Sequence, residues 1–154
     1  MFKVVSGGQT GVDRAALDAA RAAGLPHGGW CPRGRRAEDG PIHAAYALTE
    51  TPSEDYAQRT EWNVRDSDGT LALTHGRPTG GTAFTIAAAR RLRRPVFVLD
   101  LAEGPTPEEA LGWIEARGIA VLNVAGPRES QRPGIGGEAR GFLERLFRLT
   151  STRG

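Results

Sequence analysis

The chain has 154 residues, 39% of them hydrophobic and 25% charged, which fits one soluble globular domain over 1–154 with room for a sizeable core. Its formal net charge of +2 is nearly balanced and argues against a broad nucleic-acid surface, and no run of about 18 apolar residues marks a membrane span. The single cysteine excludes an internal disulfide, and His27, His43 and His75 lack zinc-ligand spacing, so no metal site is expected. The first residues run into a strand pattern without the order of a signal peptide, so a cytoplasmic protein is expected. Lys3 is the only lysine. The other basic side chains are arginines, whose planar forks bind phosphate and carboxylate bidentately.

A first strand is expected at roughly 2–6 and a helix at roughly 12–23, closed by Gly24. Between them lies Ser6-Gly7-Gly8-Gln9-Thr10-Gly11-Val12-Asp13. A glycine turn from strand to helix aims backbone N–H groups and the positive end of the helix dipole at open space, which suits a phosphate or another anion. It is an incomplete dinucleotide fingerprint: Ser6 stands in place of the first glycine, and no acidic residue follows about 20 positions on. No Gly-Lys-Ser/Thr follows, so it is not a Walker A loop either. Thr10 and Asp13 have the spacing of a capping box.

A short strand is expected near 28–31, then an exposed loop over 33–41, long enough to be functional. Trp30 reads as a core or edge residue, and Cys31 as a small buried one. Tyr46–Glu50 reads as a short strand, and Ser53 as the cap of a helix over about 54–66. That helix sets Arg59, Asn63 and Asp66 on one polar face, either solvated or facing a ligand, with Glu61 and Arg65 spaced as an ion pair. A strand at 70–74 precedes a second glycine turn, Gly76–Thr82, and a helix from Ala83 to Leu92. Val96–Leu101 is apolar enough for a central parallel strand. Thr106-Pro107-Glu108-Glu109 is a strong helix start, and Gly118 a stop. The last strand, 119–124, exits through Ala125–Ser130 into a helix over about 137–149 with Phe142, Leu146 and Leu149 on one stripe.

Strands alternating with helices imply an α/β fold, a mainly parallel, doubly wound sheet with helices on both faces. Ligands of such sheets bind outside the carboxyl ends of the strands. Three loops meet that condition. Gly7, Gly8, Gln9, Thr10 and Gly11 would cradle a phosphate, and Thr79, Gly80, Gly81 and Thr82 a second polar part. Arg128, Glu129 and Ser130 would line the rim, and Arg59 and Asn63 are further candidate contacts. No catalytic residue is assigned.

Six blocks, in order along the chain, resemble the molybdenum carrier (molybdenum cofactor carrier) family, within the Rossmann-like nucleotide-binding superfamily that includes the LOG proteins and DprA. They are Gly7-Gly8-Gln9-Thr10-Gly11-Val12-Asp13-Arg14, Gly28-Gly29-Trp30-Cys31-Pro32, Arg59-Thr60-Glu61 with Asn63-Val64, Asp68-Gly69-Thr70, Thr79-Gly80-Gly81-Thr82, and Asn123 through Ser130. The resemblance implies a Rossmann-like fold, a homo-oligomer (dimer or tetramer), molybdenum cofactor as bound ligand, and molybdoenzymes as partners. It implies holding the cofactor, not catalysis. LOG enzymes carry a glutamate after their second glycine turn. Here Thr85 takes that place and cannot ionise, which counts against their nucleotide cleavage. The alternative is an enzyme or sensor acting on a nucleotide or ADP-ribose-type ligand. DprA-like nucleic-acid binding fits the charge balance least.

Overall fold

β1 (Lys3–Val5) leads through the first glycine turn into α1 (Val12–Ala22) in the computed structural model, which describes residues 2–153, with side chains through Ser151. Gly24 follows α1 at φ +70°, the left-handed position that ends a helix. The expected strand near 28–31 is two short ones, β2 (His27–Gly28) and β3 (Trp30–Cys31), because Gly29 at φ +123° turns the chain between them. Only Thr49–Glu50 of the expected 46–50 strand pairs, as β4 beside β3.

Next come α2 (Tyr56–Arg65), β5 (Gly69–Thr74), α3 (Gly80–Arg91), β6 (Val96–Asp100), α4 (Pro107–Arg117), β7 (Val121–Ala125) and α5 (Ile135–Arg153). The capping box at Thr106 and Glu109 forms as expected, and Gly118 closes α4 in the left-handed conformation. Three expectations give way. β6, read as a central strand, instead forms an edge of the main sheet. Asp55, not Ser53, is the N-cap of α2. The second glycine turn is itself the first turn of α3, which starts at Gly80 rather than Ala83.

The main sheet is wholly parallel, in the order β2-β1-β7-β5-β6. The last strand of the chain thus lies in its middle, with Val4 opposite Leu122 and Leu71 opposite Val124. One face is apolar. Val4, Leu71, Leu73, Leu99, Leu122 and Val124 pack there with residues of α1, α4 and α5, including Phe142, Leu146 and Phe147. Strand alternation turns Thr70, Ala72, Thr74, Asn123 and Ala125 to the other face. α2 and α3 pack together there, with α3 against β5 and β6. β7 feeds a helix on the first face and its neighbour β5 a helix on the second. This change of direction opens a crevice at the carboxyl ends of the two strands.

A second, small core of Cys31, Ala37 and Ile42, with Tyr46 and Leu48 against it, lies under the 32–48 segment. Arg35, left-handed at φ +55°, holds that segment by donating to the carbonyls of Ile42, His43, Tyr46 and Leu48.

Leu71 is fully buried at the centre of β5. Leu71→Ala is expected to cost about 2–5 kcal/mol, read as a lower midpoint in urea unfolding with an unchanged slope.

Candidate functional site

The crevice is a cleft of about 230 Å³ with walls from all three loops expected to meet there. The first wall is the turn after β1. Gly7 has no room for a side chain, because the guanidinium of Arg59 lies directly on it. Arg59 reaches across to Asp13 and donates to its carboxylate at 2.9 Å. The backbone N–H of Gln9 also donates to Asp13. Burial pushes the Asp13 carboxyl up, and the charge of Arg59 opposes that shift. These bonds contradict the capping box expected for α1: its N-cap is Gly11, and Asp13 is paired with Arg59 instead.

The second wall is the N-terminus of α3. Its first amides have no intrahelical acceptor, and Thr79, the N-cap, makes no side-chain cap bond. Gly81 faces open space. Thr85 lines the cleft, but its hydroxyl donates to the Gly81 carbonyl at 2.9 Å. The third wall is the end of β7 and its exit loop, with Asn123, Gly126, Arg128 and Gln131. Tyr56 stands at the mouth on the first residue of α2. The guanidinium groups of Arg36, Arg59 and Arg128 lie 5.0, 5.3 and 5.5 Å from its ring centre.

Four buried side-chain atoms lack a hydrogen-bond partner among the described residues: Gln9 Nε2, Arg59 Nε, Thr82 Oγ1 and Thr74 Oγ1. Gln9, Arg59 and Thr82 all line this cleft. Buried polar atoms are normally paired, because an orphan costs about 1–3 kcal/mol. Here three of the four residues that carry orphans line one space.

Eight of the residues singled out in the sequence line the cleft: Gly7, Gln9, Arg59 and Asn63, then Gly80, Gly81, Thr82 and Arg128. Asn63 also has a structural task, since its amide accepts from the Trp30 N–H at 2.8 Å and donates to the Trp30 carbonyl at 2.9 Å. Gly8 lies outside the cleft, at φ +76° beneath Ile42 and Leu48. Thr79 caps α3 without lining the cleft.

Thr10, Gly11, Glu129 and Ser130 line a more open cavity of about 640 Å³ on the other side of the turn. Gly11 packs against the Pro127 carbonyl, where a Cβ would lie at 2.3 Å. Glu129 accepts from the N–H groups of Gly134 and Gly136 at 2.6 and 3.0 Å, capping the start of α5. Glu38, from the 33–41 loop, meets Thr10, Arg128 and Ser130 here.

Of the remaining expectations, Trp30 sits edge-on to Trp62 and donates to Asp66, away from the cleft. Cys31 is buried, and that burial pushes its thiol up. Glu61 pairs with Arg91 of α3, not with Arg65. Sequence reasoning missed Tyr56, Phe84, Gln131 and Glu38, and named Asn123 only as the start of the sixth block. Asn123 carried a signal, as a polar residue inside an apolar strand.

Residues 4–147 match the model of the circularly permutated YpsA SLOG family. The chain belongs to this family. It is also 44% identical to a putative molybdenum carrier protein from Syntrophus aciditrophicus SB, over 96% of this chain and 94% of that one. That protein's crystal structure aligns with a TM-score of 0.89. No curated protein sequence matches. The family resemblance read from the six blocks is borne out, and the relationships support small-molecule binding. Among the described residues no helix is long and apolar enough to cross a membrane.

Arg59→Met leaves the Asp13 carboxylate buried without its partner. The expected cost is about 3–5 kcal/mol at neutral pH. The deficit shrinks as pH falls and Asp13 takes up a proton, because the uncompensated site raises the folded-state pKa above the unfolded one. Urea unfolding at several pH values reads this, and adding Asp13→Asn restores part of the loss at neutral pH.

Proposed function

We propose that the cleft binds and carries a small anionic ligand, that this ligand is molybdenum cofactor, and that the carrier is a cytoplasmic homo-oligomer delivering the cofactor to molybdoenzymes. The observation that carries the binding site is that three residues with unpartnered buried polar atoms, Gln9 (Nε2), Arg59 (Nε) and Thr82 (Oγ1), line one cleft beside the N-terminus of α3. Such donors are satisfied by a group rich in acceptor oxygens, and a phosphate is the simplest. The choice of cargo rests on the similarity to the putative molybdenum carrier protein. The assembly and its delivery to molybdoenzymes rest on the family resemblance alone.

The cofactor's chemistry fits the cleft part by part. Its phosphate suits the α3 N-terminus and Arg128. Its flat pterin suits the aromatic mouth, where Tyr56 and the 38% exposed Phe84 both line the cleft. Its molybdenum brings its own dithiolene sulfurs. Cys31 lies outside the cleft, with its thiol held protonated by burial. Thr85, where LOG enzymes place a glutamate, spends its hydroxyl on the Gly81 carbonyl, which favours holding a ligand over cleaving it.

A nucleotide-derived ligand would use the same donors, and Asp13 gives that reading a carboxyl inside the cleft. The two are separated by offering the purified protein molybdenum cofactor with AMP or ADP-ribose as competitors. Slower oxidation of the cofactor, undiminished by the nucleotides, is the expected result. Tight nucleotide binding without protection overturns the cofactor reading. Release of free base from a nucleotide monophosphate, lost in Asp13→Asn, establishes an enzyme instead.

Thr82→Val tests the anion site itself. It removes an unpaired hydroxyl at nearly constant shape, so thermal stability is expected to hold or rise. Affinity for inorganic phosphate, measured by calorimetry, is expected to fall about tenfold.

A further inference from the structure

Glu38 sits where an anion would be expected. Its Oε1 accepts the Ser130 hydroxyl at 2.5 Å and lies 3.9 Å from the Arg128 guanidinium. Its Oε2 accepts the Ser130 backbone N–H at 3.2 Å and the Thr10 hydroxyl. Hydroxyls, a backbone amide and an arginine fork gathered around two oxygens form a receptor for an oxyanion. The hydrogen bonds from Ser130 and Thr10 hold the Glu38 carboxyl below the usual range, with burial opposing them, so at neutral pH the occupant is charged.

We propose that Thr10, Arg128 and Ser130 form a second anion subsite, that Glu38 fills it as a built-in stand-in, and that the second phosphate of a diphosphate-bearing ligand, a class beyond the cofactor with its single phosphate, displaces Glu38. The inference rests on the reading of the cleft as an anion site. Two connections join the places. Arg128 lines the cleft and also faces Glu38, so one side chain touches both positions. Gln9 lines the cleft with its unpartnered Nε2, while its Oε1 accepts the N–H groups of Glu38 at 2.9 Å and Thr10 at 3.0 Å.

The carboxylate can leave without dismantling its surroundings. The Glu38 side chain is 21% exposed. The segment around it is anchored independently by Arg35, by the Tyr46 hydroxyl donating to Asp18 at 2.6 Å, and by the Arg14–Asp39 pair at 2.7 Å. While Glu38 stays, its charge repels an incoming phosphate and occupies that phosphate's donors. Apparent affinity is therefore the intrinsic affinity reduced by the fraction of molecules with the subsite vacated.

The test compares inorganic phosphate with inorganic pyrophosphate by calorimetry, on the full chain and on Glu38→Gln, which keeps the size and loses the charge. Glu38→Gln is expected to tighten pyrophosphate at least tenfold and phosphate less than threefold. Adding Ser130→Ala to Glu38→Gln is expected to reverse most of the pyrophosphate gain. An unchanged pyrophosphate affinity overturns the proposal, as does an equal gain for both ligands, which marks a general charge effect. A Ser130→Ala change that moves only the melting temperature also overturns it, since Glu38 is then a structural latch. In each of these cases phosphate binding that Thr82→Val weakens leaves the cleft reading intact. Failure of the original chain and of Glu38→Gln to bind either anion overturns both.

Discussion

Arg59 reaches from α2 over the bare backbone of Gly7 to the buried carboxylate of Asp13, and the shape of the cleft follows from that reach. Taking two charges out of water is costly, so the pair persists only because each partner meets the other at bonding distance and Gln9 adds a donor to Asp13. The geometry requires a glycine at Gly7, because any Cβ would occupy the space of the guanidinium. It fixes the start of α1 against α2, which holds Tyr56 over the mouth. It also leaves Arg59 Nε buried without a hydrogen-bond partner among the described residues. One contact thus sets a structural link and a binding feature together.

The two faces of the sheet divide the labour. Leu and Val side chains under α1, α4 and α5 supply an apolar core. The opposite face carries Thr70, Thr74 and Asn123 at strand positions that are fully or almost fully buried. Asn123 donates to Thr70 across neighbouring strands, so part of this polar surface is satisfied internally. Of the three, Asn123 also lines the cleft. Stability comes mainly from one face and recognition from the other, and substitutions on the two are expected to separate accordingly.

Local features were legible in the sequence and distant ones were not. The strand–helix alternation, the capping box at Thr106 and the glycine stops at Gly24 and Gly118 each follow from a few adjacent residues, and each appears. The glycine turns correctly pointed to a shared rim, because strand ends in a parallel sheet face one way. The tie between the rim and the 33–41 loop depends on Glu38, which lies 92 positions from Ser130 and has no local signature. Glu61 turned from the expected Arg65 to Arg91 because α3 lies beside α2, a neighbour that spacing along one helix cannot reveal. The position of β7 was equally hidden, since nothing in its composition says which strands it will separate.

That position has a consequence for the newborn chain. Until β7 leaves the ribosome, β1 and β5 each present an unpaired edge toward the gap that β7 will fill. Bare edges of this kind pair readily with other chains. The sheet therefore closes late, by insertion of a C-terminal strand between partners made long before it. A chain stalled or cut before Val121 lacks the keystone of its own sheet, and quality control in the cell would meet two open half-sheets in place of a slightly shortened protein.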